Sequence, residues 1–225
     1  MKKQTAFISA ILSLIPIGQP IIINTGLIVS TTSLILPLSE KVYAGDNTYY
    51  FNSAFDKGKN GDHYGAISDY TKAIEIDPND SQAFYNRGWN KRKLKDYYGA
   101  IADYTKAIEI NPIYKEAYIN RGYSKHFIKD YEGAINDFKK VLTFDENNAT
   151  AYNNLAWTKR KINDNYGAIF DATKAIEIDP NYSNPYLNRG VAKENLGDIR
   201  GACDDWRKAS SLGNEFTTKW VRDQC

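Results

Sequence analysis

The chain has 225 residues, 29 basic and 27 acidic, with two histidines and two cysteines. Charge this balanced argues against a nucleic-acid footprint, which needs a clustered basic surface. His63, His126, Cys203 and Cys225 lie too far apart to offer metal-ligand spacing, and no Ser or Cys nucleophile has an evident base.

Residues 6–38 carry no charge, Met1-Lys2-Lys3 precede them, and Val42-Tyr43-Ala44 follow. A basic start, an apolar stretch and small residues before a final Ala predict a secretory signal at 1–44, cleaved after Ala44. Residues 21–38 are also a candidate membrane helix. Uncleaved, the segment would anchor the protein, with Lys2 and Lys3 inside and the rest outside. Both alternatives export residues 45–225. Without Lys2, Lys3, Lys41 and Glu40 the remainder carries no net charge.

Beyond residue 45 one segment recurs. GAISDYTKAIEIDP (65–78), GAIADYTKAIEINP (99–112) and GAIFDATKAIEIDP (167–180) are near-copies, and looser copies start at 133 and 201. The step is 34 residues throughout, the signature of a repeat array. In the unit from Ser81, Phe84, Arg87, Gly88 and Lys91 share one helical face, and Ala100, Ile101, Tyr104, Ala107 and Ile108 share another. A turn at 95–97 separates them and Pro112 ends the second helix. Ala66, Ala100, Ala134, Ala168 and Ala202 face Ala54, Gly88, Gly122, Ala156 and Gly190, small residues where two helices cross. Tyr50, Phe84, Tyr118, Tyr152 and Tyr186 would fill the space between units. One hairpin cannot bury its apolar face alone; stacked hairpins can.

These residues resemble the tetratricopeptide-repeat (TPR) family. NRG in the first helix with GAI-DYTKAIEINP in the second is similar to TPR proteins common in cyanobacteria. The resemblance implies an all-α, right-handed superhelical solenoid. Its five helix–turn–helix repeats would lie at 47–80, 81–114, 115–148, 149–182 and 183–214, with a capping helix at 215–225. It places the exported domain in a periplasm or thylakoid lumen. The chain departs from the family pattern where Arg87, Arg121 and Arg189 replace a large apolar residue, and where Lys57, Lys91, Lys125, Lys159 and Lys193 replace an aromatic. Either these bases pair with Asp69, Asp103, Asp137, Asp171 and Asp205 across each hairpin, or they extend to solvent.

The first helices also carry Asn52, Asn86, Asn120, Asn154 and Asn188, one per unit. Phe55, Trp89, Tyr123 and Trp157 follow three residues later on the same stripe, with Val191 in the last unit. The resemblance places this stripe in the concave groove. An Asn amide can pair with both backbone N–H and C=O of an extended peptide, and aromatics add contact area. Arg92, Lys93, Arg160 and Lys161 would give the groove a basic rim and a preference for acidic partners. Alternatively, the Asn and aromatic residues pack between helices. Tyr85, Ile119 and Asn153 stand before three of the Asn residues, so no basic clamp for a C-terminal carboxylate is present. Gly58-Lys59-Asn60-Gly61 lacks P-loop spacing and reads as a turn.

In the last helix, Phe216 and Trp220 are expected to face inward. Folding back would bring Cys225 towards Cys203, a disulfide in an exported chain and two free thiols in a cytosolic one. The sequence thus points to a non-enzymatic protein-interaction scaffold without cofactors, gripping extended segments outside the cytoplasm. A glycan or cell-envelope binder, or an accessory subunit of an enzyme or membrane assembly, are the alternatives.

Overall fold

The computed structural model describes residues 46–225. The expected signal segment, its cleavage after Ala44 and its membrane alternative lie outside the described residues. Among those residues there are eleven helices and no strands. They pair as α1 (Asn47–Lys59) with α2 (His63–Ile76), α3 (Ser81–Lys93) with α4 (Tyr97–Ile110), and α5 (Lys115–Phe127) with α6 (Tyr131–Phe144). Then come α7 (Ala149–Lys161) with α8 (Asn165–Ile178), α9 (Ser183–Asn195) with α10 (Ile199–Ser211), and α11 (Glu215–Gln224). Each pair packs tightly and leans on the next, giving the right-handed superhelical solenoid expected of the sequence. No described helix is long and apolar enough to cross a membrane.

One turn chemistry closes every hairpin. Lys95 adopts φ 64°, and its counterparts Gly61, Lys129, Asn163 and Gly197 lie between 61° and 86°. This left-handed residue ends the first helix, and Asp96 N–H then donates to Lys91 O at 2.9 Å. The same Asp96 begins the second helix, its carboxylate accepting from Gly99 N–H at 2.9 Å. Asp62, Asp130, Asp164 and Asp198 repeat the cap on Gly65, Gly133, Gly167 and Gly201. The glycine of each GAI is there because a Cβ would collide with the capping carboxylate.

The small residues mark the crossings as expected. A Cβ on Gly88 would lie 3.2 Å from Ala100 O and 3.1 Å from the Tyr104 ring. Phe84, Tyr118 and Tyr186 are buried between units, while Tyr50 and Tyr152 are half-buried. Tyr118 and Tyr186 also donate to the carbonyls of Pro112 and Pro180.

The bases pair rather than extend. Arg87 grips Asp103 with two bonds, Nε–Oδ2 at 3.0 Å and Nη2–Oδ1 at 2.7 Å, and Lys91 Nζ adds a third contact at 2.8 Å. Arg121–Asp137–Lys125 and Arg189–Asp205–Lys193 are built alike. The carboxylates are buried, so their charge requires these partners. In the first unit Ser53 and Lys57 hold Asp69. In the fourth, Leu155 stands in the arginine's place and Lys159 alone contacts Asp171, at 2.7 Å. Burial then dominates and pushes the Asp171 carboxyl up, Lys159 opposing it.

The end of the array differs from expectation in one residue. Trp220 packs on Trp206, with ring centroids 5.3 Å apart, but Phe216 is 75 % exposed. The last loop, Leu212-Gly213-Asn214, is shorter than the inter-repeat loops, so α11 starts early and turns Phe216 out of the core. Thr217 is buried instead. Cys203 and Cys225 form a disulfide in the structure, with Cα atoms 5.6 Å apart.

Candidate binding groove

Consecutive first helices (α1, α3, α5, α7, α9) approach one another more closely than consecutive second helices do. They therefore form the inner, concave layer. The asparagines project from that layer, but their surroundings change along it. Asn52 is exposed. Asn86 is half-buried and lines a cavity of about 330 Å³ with Phe55, Tyr85 and Trp89. Asn120 Nδ2 donates to Tyr85 Oη at 3.1 Å and to Glu116 O at 2.9 Å. Asn154 is buried, 3.4 Å from Asn153 Nδ2. Asn188 is bound at both ends of its amide: Nδ2 donates to Asn153 Oδ1 at 2.8 Å, and Oδ1 accepts from Arg160 Nη1 at 2.6 Å. The row is open at its N-terminal half and knitted into the fold at its C-terminal half.

Some of the aromatics and bases interleave. Phe55 is 54 % exposed. Lys93 Nζ sits 4.8 Å from the Trp89 ring centre, and the Arg92 guanidinium 5.0 Å from that of Tyr123. Tyr123 is 5.5 Å from Trp157, and His126 stacks on Trp157 at 3.4 Å. Lys93 and Lys161 are exposed, whereas Arg92 and Arg160 lie between helices with their Nε atoms buried and unpartnered. Burial draws the Arg160 guanidinium down to about 10. It also draws the His126 imidazole down to about 4, with Lys161 and Arg160 adding to the effect. His126 Nδ1 lies 3.0 Å from Thr158 Oγ1.

A second cavity of about 360 Å³ lies at the C-terminal end, lined by Trp157, Tyr182, Leu187 and the outward-turned Phe216 among others. Sequence reasoning did not single out Asn90, Asn153, Tyr182 or Phe216 for the groove. Asn90 and Asn153 fall outside the periodic Asn row, which drew attention away from them. Among the described residues no group of three or more His, Cys, Asp and Glu side chains is arranged to hold a metal.

Profiles of the tetratricopeptide repeat match residues 49–80, 81–114, 115–148 and 149–182, more than half of the chain. The chain belongs to the tetratricopeptide-repeat family. Among solved structures, this TPR protein is similar to MamA, at 25 % identity and a TM-score of 0.68, over 77 % of this chain and 94 % of MamA. The first TPR of Spaghetti (RPAP3), solved bound to the HSP90 peptide SRMEEVD, is 27 % identical with a TM-score of 0.51, over 53 % of this chain and 94 % of that one. YrrB, described as a TPR protein with an unusual peptide-binding site, shares the fold at 17 % identity and a TM-score of 0.67, over 82 % and 96 % of the two chains. No curated protein matches this TPR chain.

Proposed function

We propose that this TPR protein is a non-catalytic scaffold that holds an extended segment of a partner protein in its concave groove, outside the cytoplasm. The carrying observation is the open N-terminal half of the asparagine row, with Asn86 beside Phe55 and Trp89 on a cavity of mixed lining. Such a surface offers backbone-pairing amides next to rings that supply contact area. Asn154 and Asn188 act mainly by fixing the groove's shape, since their amides are buried or already engaged. Lys59, Lys93 and Lys161 are exposed along the groove's first helices and favour acidic residues flanking the held segment. The likeness to the peptide-bound TPR of Spaghetti supports a peptide ligand. The uncharged stretch at 6–38 supports export, by cleavage or as an anchor.

The test is capture from an envelope extract with the full chain as bait, beside an Asn86→Ala, Asn120→Ala variant of equal helicity. A partner retained by the first and lost by the second supports the groove. Equal capture by both overturns it.

A further inference from the structure

The first repeat lacks a side chain that the second and third repeats place on a ring of their neighbour. Gly58, Arg92, His126, Arg160 and Glu194 occupy one register position, 34 residues apart. Two side chains of this row meet an aromatic ring of the next repeat: the Arg92 guanidinium sits over Tyr123, and His126 stacks on Trp157. Trp89 is the matching ring for Gly58, and glycine supplies nothing to lie on it. A Cβ on Gly58 would lie 2.8 Å from Asn90 Oδ1, so Asn90 takes the space next to the glycine, and beyond it lies the cavity of about 330 Å³ lined by Phe55, Gly58, Tyr70 and Trp89, within the range of side-chain and small-ligand pockets.

Its floor is polar. Tyr70 is 1 % exposed and lines the cavity, yet its hydroxyl has no hydrogen-bond partner, and burial raises its pKa. In the second repeat the corresponding Tyr104 hydroxyl is fully buried, near Arg92 but without a hydrogen-bond partner. The first repeat differs in that its tyrosine borders a cavity, where a ligand could reach the hydroxyl. Asn90, 3 % exposed, reaches in from the next helix, with Nδ2 on Asn86 O at 2.8 Å and Oδ1 at 2.9 Å from His63 Nδ1.

We infer that this cavity receives a tyrosine side chain of the bound segment, a reading that rests on the groove proposed above. The missing layer is planar, as its neighbours are, which favours a ring over a branched aliphatic chain. The unpaired Tyr70 hydroxyl asks for a polar tip, and an apolar one would leave it buried without a partner. Charge separates the two planar candidates. Lys59 lines the cavity and the Lys93 ammonium stands over Trp89, so a guanidinium is repelled while a neutral ring is attracted through its face.

The probes are the N-acetyl amides of tyrosine, phenylalanine, arginine and leucine, titrated into the 15N-labelled full chain and read at the Trp89 indole N–H. The tyrosine amide is expected to bind tightest, ~3–10-fold more tightly than the phenylalanine amide, one hydrogen bond's worth. Tyr70→Phe, which places there the residue that Phe138 supplies in the third repeat, should erase that preference. Gly58→Arg with Asn90→Ser recreates the Arg92 and Ser124 pairing of the next junction and should abolish binding. Arginine or leucine amide binding as tightly as tyrosine, an unmoved Trp89 signal, or full binding by the double variant each overturns the inference. The titration needs no partner. A cavity that takes the tyrosine amide while capture is insensitive to Asn86 and Asn120 keeps the pocket and sinks the groove reading. Asn-dependent capture with no amide bound does the reverse.

Discussion

Arg87 and Thr71 belong to different repeats, yet Arg87 Nη1 donates to Thr71 Oγ1 at 3.1 Å while the same guanidinium grips Asp103 within its own hairpin. Arg121 binds Thr105, and Arg189 binds Thr173, at the same 3.1 Å. Each arginine thus closes its hairpin and ties it to the preceding one. The junction between the third and fourth repeats breaks the pattern on both sides at once: Lys139 stands where the threonine would be, and Leu155 where the arginine would be. A lysine facing an arginine would repel it, and Leu155 instead packs on Ala134 and Phe138.

Removing one arginine should leave a buried carboxylate with only its lysine. Arg121→Met is expected to cost ~2 kcal/mol, below the ~3–5 kcal/mol of a fully orphaned buried charge because Lys125 remains. Urea unfolding checks it, and adding Asp137→Leu should recover most of the loss. A loss below measurement error would mean the pair contributes nothing.

The junction between the third and fourth repeats can be converted to the common type only by changing both partners. Leu155→Arg alone should destabilise, facing Lys139 and leaving Phe138 unpacked. With Lys139→Thr the two changes should show a favourable coupling of ~1 kcal/mol or more in a double-mutant cycle. Strict additivity would refute the link between the two positions.

Lys95 and Lys129 hold left-handed backbone that Gly61 and Gly197 hold without a side chain. Lys95→Gly and Lys129→Gly are each expected to stabilise by ~0.5–1 kcal/mol, the relief of Cβ strain less glycine's added chain entropy. Equilibrium unfolding in denaturant reads the sign, and destabilisation by both would show that the turn carries no such strain.

His126 titrates near 6.5 when unfolded and about 4 when folded. Between those values the unfolded chain binds more protons, so stability falls as pH drops from about 6.5 to about 4, by up to ~3 kcal/mol. Above that window the imidazole is neutral in both states and has no influence. His126→Phe should flatten thermal stability measured between pH 4 and 7. A profile equally steep with and without the imidazole would place the dependence elsewhere.

Much of the architecture was legible because it recurs. The fixed period exposed the helix pairs and their small crossing residues, and the coincident Arg, Lys and Asp positions raised the pairing that the structure contains. The Asp96 cap and its clash-free Gly99 were equally periodic, but their reason is a distance, which no pattern states. The Thr–Arg ties escaped notice because threonine and arginine lie in different repeats. In the groove, periodicity misled: five equivalent asparagines have unequal surroundings, since neighbours such as Asn153 and Arg160 do not recur in every unit. Phe216 was misplaced because the shortened final loop breaks the phase on which the reading relied.

The two kinds of junction respond to different surroundings. Three add to their apolar contact an arginine bond that competes with dissolved ions and with guanidinium, and the one between the third and fourth units has Leu155 on Phe138 in its place. A molecule built this way loosens unevenly: salt acts on three of its junctions through a bond that the one between its third and fourth units does not have.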